Sequence, residues 1–446
     1  MIQQQNQEKI KEKDANQVWH AMKGADKDVN RLIVESAEGA WVKDIDGNQY
    51  LDGMSGLWCV NVGYGRTEIA ETAYNQLEKL AYFPLAHGHK PAVELAEKLN
   101  SYLNDEYVFF FSNSGSEANE TAFKIARQYH EQNGESQRTK FISRYRSYHG
   151  NTMGALAATG QAERKYKYEP LAQGFLHVAP PDMYRKPKDN ETLESVQAID
   201  EVMKWELSST IAGVIMEPII TGGGILMPPE NYLKKVKETC EKHGALMIVD
   251  EVICGFGRTG KMFGFMNYDI KPDIITMAKG ITSGYMPLSV TAVKKDLFQS
   301  FSGEDTYYRL RHVNTYGGSP SACAVALKNI EILEKEALFN QSEILGQKLL
   351  DSLEELLTHP NVGDIRGKGL LLGIELVKDK ITKTPIDSEK SNGIVKMCKE
   401  KGLLVGKNSD TVSGYDNVIQ LAPPLSITTD DLDFIINTLK ESIKSL

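Results

Sequence analysis

Three stretches carry residue types that could do chemistry together. The first, "VFFFSNSGSEANETAFKIAR" (residues 108–127), is an apolar run, then Ser114, Gly115 and Ser116, then a helical pattern. Ser114 and Glu117 stand at capping-box spacing. Gly115 lets backbone N–H groups approach an anion closely, and the positive end of the helix dipole favours a phosphate there. The same letters also suit a helix that is merely well capped. The second stretch, "ALMIVDE" (245–251), ends an apolar run on Asp250 and Glu251. The third, "PDIITMAKG" (272–280), sets Lys279 directly after another. A lysine at a buried strand end is costly unless paired or neutral. A neutral lysine forms Schiff bases with carbonyls; one already outside the core is only solvated. Read together, the three suit a phosphorylated pyridine aldehyde: a cradle for the phosphate, a carboxylate to keep the ring nitrogen protonated, and a lysine for the aldehyde.

A rival reading starts at the same carboxylates. Residues 255–260, "GFGRTG", fit the G-x-G-x-x-G spacing of dinucleotide sites. That fingerprint needs a helix opening within it, so that the pyrophosphate meets the helix N-terminus. The following "GKMFGFMNYDIKPD" has no helical period, and two carboxylates at the strand end repel a pyrophosphate. Without its context the pattern carries little weight.

These stretches need elements to position them. "EYVFFFS", "TKFISRY", "AGVIME", "ALMIVDE", "DIITMA" and "SVTAV" read as strands buried on both faces. Between them lie helical patterns such as "EANETAFKIARQYH" and "PPENYLKKVKETCEKHG". The alternation predicts an α/β fold with a mostly parallel sheet. Beyond residue 330 a long helix through "SACAVALKNIEILEKEAL", then "GLLLGIELV", "GLLVG" and "NVIQLAPP", predicts a smaller α+β domain. The expected division is 1–60 as an N-terminal segment joined to the small domain, 61–327 as the large domain and 328–446 as the C-terminal small domain.

The 446 residues are 41% hydrophobic and 25% charged, the composition of an ordinary globular protein. A net charge of −9 argues against a nucleic-acid-binding surface. Five scattered cysteines without a C-x-x-C pair argue against a disulfide frame or a zinc site, so no metal is expected. The polar N-terminus lacks a signal-peptide core, and no run approaches the roughly 18 apolar residues of a membrane helix. A cytoplasmic location is expected.

With these motifs in order, the chain resembles the class III pyridoxal-phosphate-dependent aminotransferases of fold type I. The resemblance is carried by "SGSEAN" (114–119), "YHG" (148–150), "MEPI" (216–219), "DEVICGFGRTG" (250–260), "MAKGITSGYMPLS" (277–289) and "TYGGSP" (315–320), and runs from about Trp19 to the C-terminus. It implies pyridoxal 5'-phosphate as cofactor and transamination in two half-reactions. It implies that Lys279 holds the cofactor aldehyde and then moves the substrate proton, and that Asp250 pairs with the ring nitrogen. Val252 and Tyr148 would cover the two ring faces, with His149 beside them. Ser114, Gly115 and Ser116 would hold the phosphate, and Glu217 would sit near the cofactor hydroxyl. Thr315 would reach the phosphate of a partner subunit, because active sites of this family lie at a homodimer interface; dimers able to pair into tetramers stay open.

The amine donor is read from finer features. Ornithine, acetylornithine and 4-aminobutyrate enzymes of this class carry arginine after "YHG", and diaminopelargonate synthases carry aspartate; this chain has Asn151. No arginine follows Arg366, and in "VGKNSDTVSGYDNVIQLAPPL" (405–425) Lys407 is the sole cation. Many ω-transaminases hold a carboxylate with an arginine in that segment. Lys407 is therefore a candidate for a substrate sulfonate or carboxylate, or else a solvated loop residue. Trp19 and Trp58 are expected to wall the substrate pocket. "GLWCVNVGYGR" and "GKNSDTVSGYDNV" resemble taurine:pyruvate and β-alanine:pyruvate aminotransferases. The expected donor is taurine or β-alanine with pyruvate as acceptor; the alternatives are a broad ω-amine transaminase, a diaminopelargonate synthase or an aminomutase of the same fold.

Overall fold

Runs that are apolar at every position must be covered on both faces; the central strands are, whereas Val108, Phe109 and Phe110 of the edge strand Tyr107–Ser112 are only half-buried, because an edge strand has a neighbour on one side alone. In the computed structural model, which describes residues 2–25, 28, 31–409 and 411–446, the strands Ile211–Met216 and Leu246–Asp250 are buried at every residue. They lie within a seven-stranded sheet ordered Tyr107–Ser112, Ser289–Lys294, Ile274–Met277, Leu246–Asp250, Ile211–Met216, Lys140–Arg144 and Phe175–Val178. Ser289–Lys294 runs antiparallel to both its neighbours, and the other pairings are parallel. Ser112, Arg144, Met216, Asp250 and Met277 therefore end at one edge of the sheet. All six predicted strands are present. Phe175–Val178 was not anticipated: it has four residues, three of them only half-buried, too few for a pattern.

The helix Tyr232–His243 ends where Gly244 turns left-handed at φ 67°. The helix predicted through residues 321–338 is Pro320–Lys335; it stops short at a turn where Ala337 has φ 52°, and a second helix, Leu338–Leu353, follows. Apolar spacing continues across that turn and so does not reveal it. Further on, Val362–Gly367, Leu372–Asp379, Val418–Leu421 and Gly406–Lys407 form an antiparallel sheet. The N-terminal strands Val34–Glu38, Trp41–Asp44 and Gln49–Asp52 make another, whose last member pairs in parallel with Leu403–Leu404. Among the described residues no helix is long and apolar enough to cross a membrane.

The glycine-rich loop has a structural task. No α-helix follows Asp250; the next regular element is a single 3-10 turn, Gly264–Asn267. Gly257 has φ 91°, and a Cβ there would stand 2.7 Å from the Phe339 ring. This bend sends Arg258 into the interior, where it is fully buried. Its guanidinium donates to the carbonyls of Leu370 (3.0 Å) and Pro423 (2.5 Å), to Ser55 Oγ (3.2 Å) and to Asn61 Oδ1 (2.8 Å). Burial lowers its pKa to about 9. One side chain thus ties the sheet-edge loop to both the beginning and the end of the chain. Replacing Arg258 by Met leaves those acceptors buried and unmet, so the midpoint of chemical denaturation should fall by the equivalent of about 3 kcal/mol or more.

Candidate active site

A cleft of about 390 Å³ opens at the edge where the parallel strands end. Four of its walls lie at or just beyond strand ends: residues 113–116, 148–151, Asp250 with Val252 and Ile253, and 278–279.

The helix Gly115–Gln132 opens on this cleft. Its cap is reciprocal: Ser114 Oγ accepts from Glu117 N at 3.2 Å, and the Glu117 carboxylate accepts from Ser114 N at 3.3 Å and also from Asn113 N at 2.7 Å. The N–H groups of Gly115 and Ser116 have no protein acceptor among the described residues. A Cβ at Gly115 would lie 3.0 Å from both methyls of Val252, so a larger residue would crowd the helix start against the turn that follows Asp250. Ser116 and Asn151 lock the rim: Ser116 Oγ donates to Asn151 Oδ1 at 2.9 Å and accepts from Asn151 N at 3.1 Å. Gly150, at φ 142°, makes that approach possible, since its Cβ would come within 2.5 Å of Ser116 Oγ.

Asp250 is 3% exposed and fully held. Its Oδ2 accepts from Asn119 Nδ2 at 2.8 Å and pairs with His149 Nδ1 at 2.9 Å, while Oδ1 accepts from Val252 N at 3.0 Å. Asn119 in turn accepts from Thr276 Oγ1 at 2.8 Å and donates to His149 O at 2.6 Å. Sequence reasoning missed Asn119. The signal was available: it is a polar residue on the buried face of an amphipathic helix, one turn before Ala122. Glu217 is also buried; Oε2 accepts from Thr221 N (3.0 Å) and Oγ1 (2.5 Å), and Oε1 from Tyr148 N (3.1 Å). Burial raises its pKa, nearby His149 opposes the rise, and Asp250 adds to it. Lys279 lines the cleft from a left-handed position, φ 47°, and among the described residues no carboxylate lies within ion-pairing distance of it. Tyr148, His149 and Val252 line the cleft as well.

Four predicted residues lie elsewhere. Trp58 is buried among Ile219, Cys254 and Ala422, while its neighbours Leu57 and Cys59 reach the cleft. Trp19 is 89% exposed and donates to Lys23 O. Thr315 is exposed, and its carbonyl accepts from the Tyr82 hydroxyl. Lys407 is turned away by its place in a short strand: Nζ lies 3.2 Å from Asp416 Oδ2 and 3.3 Å from Ser391 Oγ.

The chain matches the family model of class III aminotransferases over residues 23–443. The chain belongs to the class III aminotransferases. It is 68% identical over 443 residues to YhxA of Bacillus subtilis (strain 168), described as an uncharacterized aminotransferase, covering 99% of this chain and 98% of that one. It is 42% identical over 430 residues to a taurine–pyruvate aminotransferase of Bilophila wadsworthia, covering 95% and 94%. Among solved structures, an aminotransferase of Bacillus anthracis superimposes with a TM-score of 0.97 at 60% identity, covering 99% of each chain. The aminotransferase thus has fold type I and depends on pyridoxal 5'-phosphate. The cleft fits that group: uncommitted N–H groups at a helix start suit its phosphate, a fixed carboxylate suits its ring nitrogen, and a lysine without a counter-ion suits its aldehyde.

Glu251 of the aminotransferase points away from this chemistry. It is fully buried and accepts from Gly264 N at 2.8 Å and Phe265 N at 2.7 Å. Burial pushes its pKa up from 4.5 to about 8. Between those values the folded protein keeps a proton that the unfolded chain releases, so Glu251 makes stability fall as pH rises through the window. The stability of the wild type relative to Glu251→Gln, from denaturation midpoints, should therefore decrease between about pH 5 and pH 8.

Proposed function

We propose that this aminotransferase moves the amino group of a short ω-amino acid, taurine or β-alanine, to pyruvate. The observation that carries this reading is at the rim of the cleft, where the uncharged Asn151 stands against Ser116. The bond between Asn151 and Ser116 supports it, because position 151 braces the helix start and offers the donor no charge. The Bilophila wadsworthia relative named for taurine and pyruvate supports it too.

When bound, pyridoxal phosphate supplies an aldehyde for the donor's amine and a cationic ring that spreads the charge left by the departing proton. The Gly115 and Ser116 N–H groups, with Ser114, hold the phosphate. Tyr148 and Val252 confine the ring, and Glu217 stands beside it. Asp250 keeps the ring nitrogen protonated, and His149 and Asn119 keep Asp250 in place. Lys279 Nζ holds the aldehyde at rest. As a free amine it would take the proton from the donor's amine-bearing carbon and deliver it to the cofactor carbon. We propose the same large and small domains as the sequence reading, 61–327 and 328–446 with 1–60.

The working form is a homodimer in which Thr315 serves the partner's site. Its surroundings support this: Tyr82, Phe83, Val313 and Tyr316 are exposed apolar side chains near it, and the Tyr82 and Tyr316 rings meet at 6.1 Å.

The test is a donor screen. Holoenzyme is mixed with taurine, β-alanine, 4-aminobutyrate, 1-phenylethylamine or S-adenosylmethionine, and the cofactor absorbance is followed. Taurine or β-alanine should react fastest; no response to either overturns the donor assignment. Separately, borohydride reduction should fix the cofactor covalently to the wild type and not to Lys279→Ala. Labelling of that variant at another side chain would remove Lys279 from its role.

A further inference from the structure

The segment expected to supply a cation for the donor's acidic end does not supply one. Lys407 is 7% exposed at its side chain and bound to Asp416 and Ser391. Arg144, Arg146 and Arg258 are buried and donate to Glu217 O, Asp182 and the Pro423 carbonyl respectively.

Arg164 differs from these. Its guanidinium carbon stands 5.1 Å from the centre of the Tyr148 ring, and Tyr148 lines the cleft. Nε donates to Gln161 Oε1 at 2.7 Å, and among the described residues Nη1 meets only the weak acceptor Met22 Sδ at 3.6 Å. Among the described residues no carboxylate lies within ion-pairing distance of Arg164. Its remaining N–H donors form half of the planar fork that binds sulfonate or carboxylate oxygens in pairs.

The group is also held in place. Gln161 is fully buried, and its Nε2 donates to Arg146 O at 2.9 Å, which fixes the oxygen that receives Arg164 Nε. The turn carrying Arg164 is fastened to the segment that lacks an arginine, through Glu163 N donating to Thr411 O at 3.2 Å. The face of the Tyr148 ring attracts the guanidinium and adds to its hold.

We infer that Arg164 receives the anionic end of the donor, sulfonate or carboxylate, at the Tyr148 side of the cleft. This rests on the proposal that the donor is a short ω-amino acid. An uncharged amine has nothing to offer this cation, so Arg164 determines specificity and takes no part in proton transfer.

Unreactive ethanesulfonate and propionate are the probes. They are used as competitive inhibitors against whichever donor the screen finds best, in wild type, Arg164→Gln and Arg164→Lys holoenzymes. The charge-assisted bonds at stake correspond to roughly a tenfold to hundredfold rise in the inhibition constants of Arg164→Gln. Arg164→Lys should recover part of the loss. The ratio of kcat/KM for taurine to that for 1-phenylethylamine should fall by about tenfold or more, through KM and not kcat. Lys407→Met should leave that ratio within about twofold of the wild type.

Inhibition constants that stay at the wild-type value in Arg164→Gln overturn the inference. So does an equal loss for charged and uncharged donors, which would make Arg164 a support for the Tyr148 ring. If taurine and β-alanine fail in the screen while the inhibitor series behaves as expected, the donor assignment falls and the anion subsite stands.

Discussion

Asp250 is a carboxylate placed out of water at the edge of a sheet, and an ion there must be fully hydrogen-bonded to be tolerable. Each of its donors comes from a different piece of chain. Asn119 comes from the helix that starts the phosphate cradle, His149 from the loop after Lys140–Arg144, and the Val252 N–H from its own turn. The anion therefore fixes the mutual positions of three cleft walls. Asn119 extends the control to a fourth element, since it also accepts from Thr276 on the strand that leads to Lys279. The cofactor's ring nitrogen, its phosphate and its aldehyde thus meet groups positioned by one network.

A second network joins distant parts of the chain. Asp182 pairs with Arg146 at 2.7 Å, Glu375 pairs with Arg185 and with Arg366, and Arg366 donates to the carbonyls of Gly224 and Ile225. Burial alone would lower the Arg366 pKa, but Glu375, Asp364 and Asp182 raise it, and three arginines hold the Glu375 pKa down to about 2. Arg146 and Arg185 both stack on Tyr415. Buried charge of this kind favours one arrangement of the joined segments over near alternatives, since breaking one partner away strands the other.

Much of this was legible in the letters, for identifiable reasons. Strands covered on both faces must be apolar throughout, so Leu246–Asp250 and Ile274–Met277 announce themselves. Asp250 and Lys279 stand out because polar residues end those runs. The capping box at Ser114 and Glu117 is local chemistry at a fixed spacing. The failures are equally physical. Phe175–Val178 is half-exposed and has four residues, so no pattern forms. The turn at Ala337 breaks no apolar spacing. Lys407 was a reasonable candidate by charge and position, but its ion pair with Asp416 depends on tertiary placement. Arg164 was passed over because nothing near it in sequence marks it; its meaning comes from Tyr148, which folding brings beside it.

The parallel pairing of Gln49–Asp52 with Leu403–Leu404 bears on biosynthesis. During translation the three strands within residues 34–52 are made before Leu403–Leu404, so one edge of their sheet stays unpaired while residues 53–402 are synthesised. Waiting edges of this sort are where nascent chains join one another wrongly. Completion of that sheet is a late event, and slow elongation lengthens the vulnerable interval.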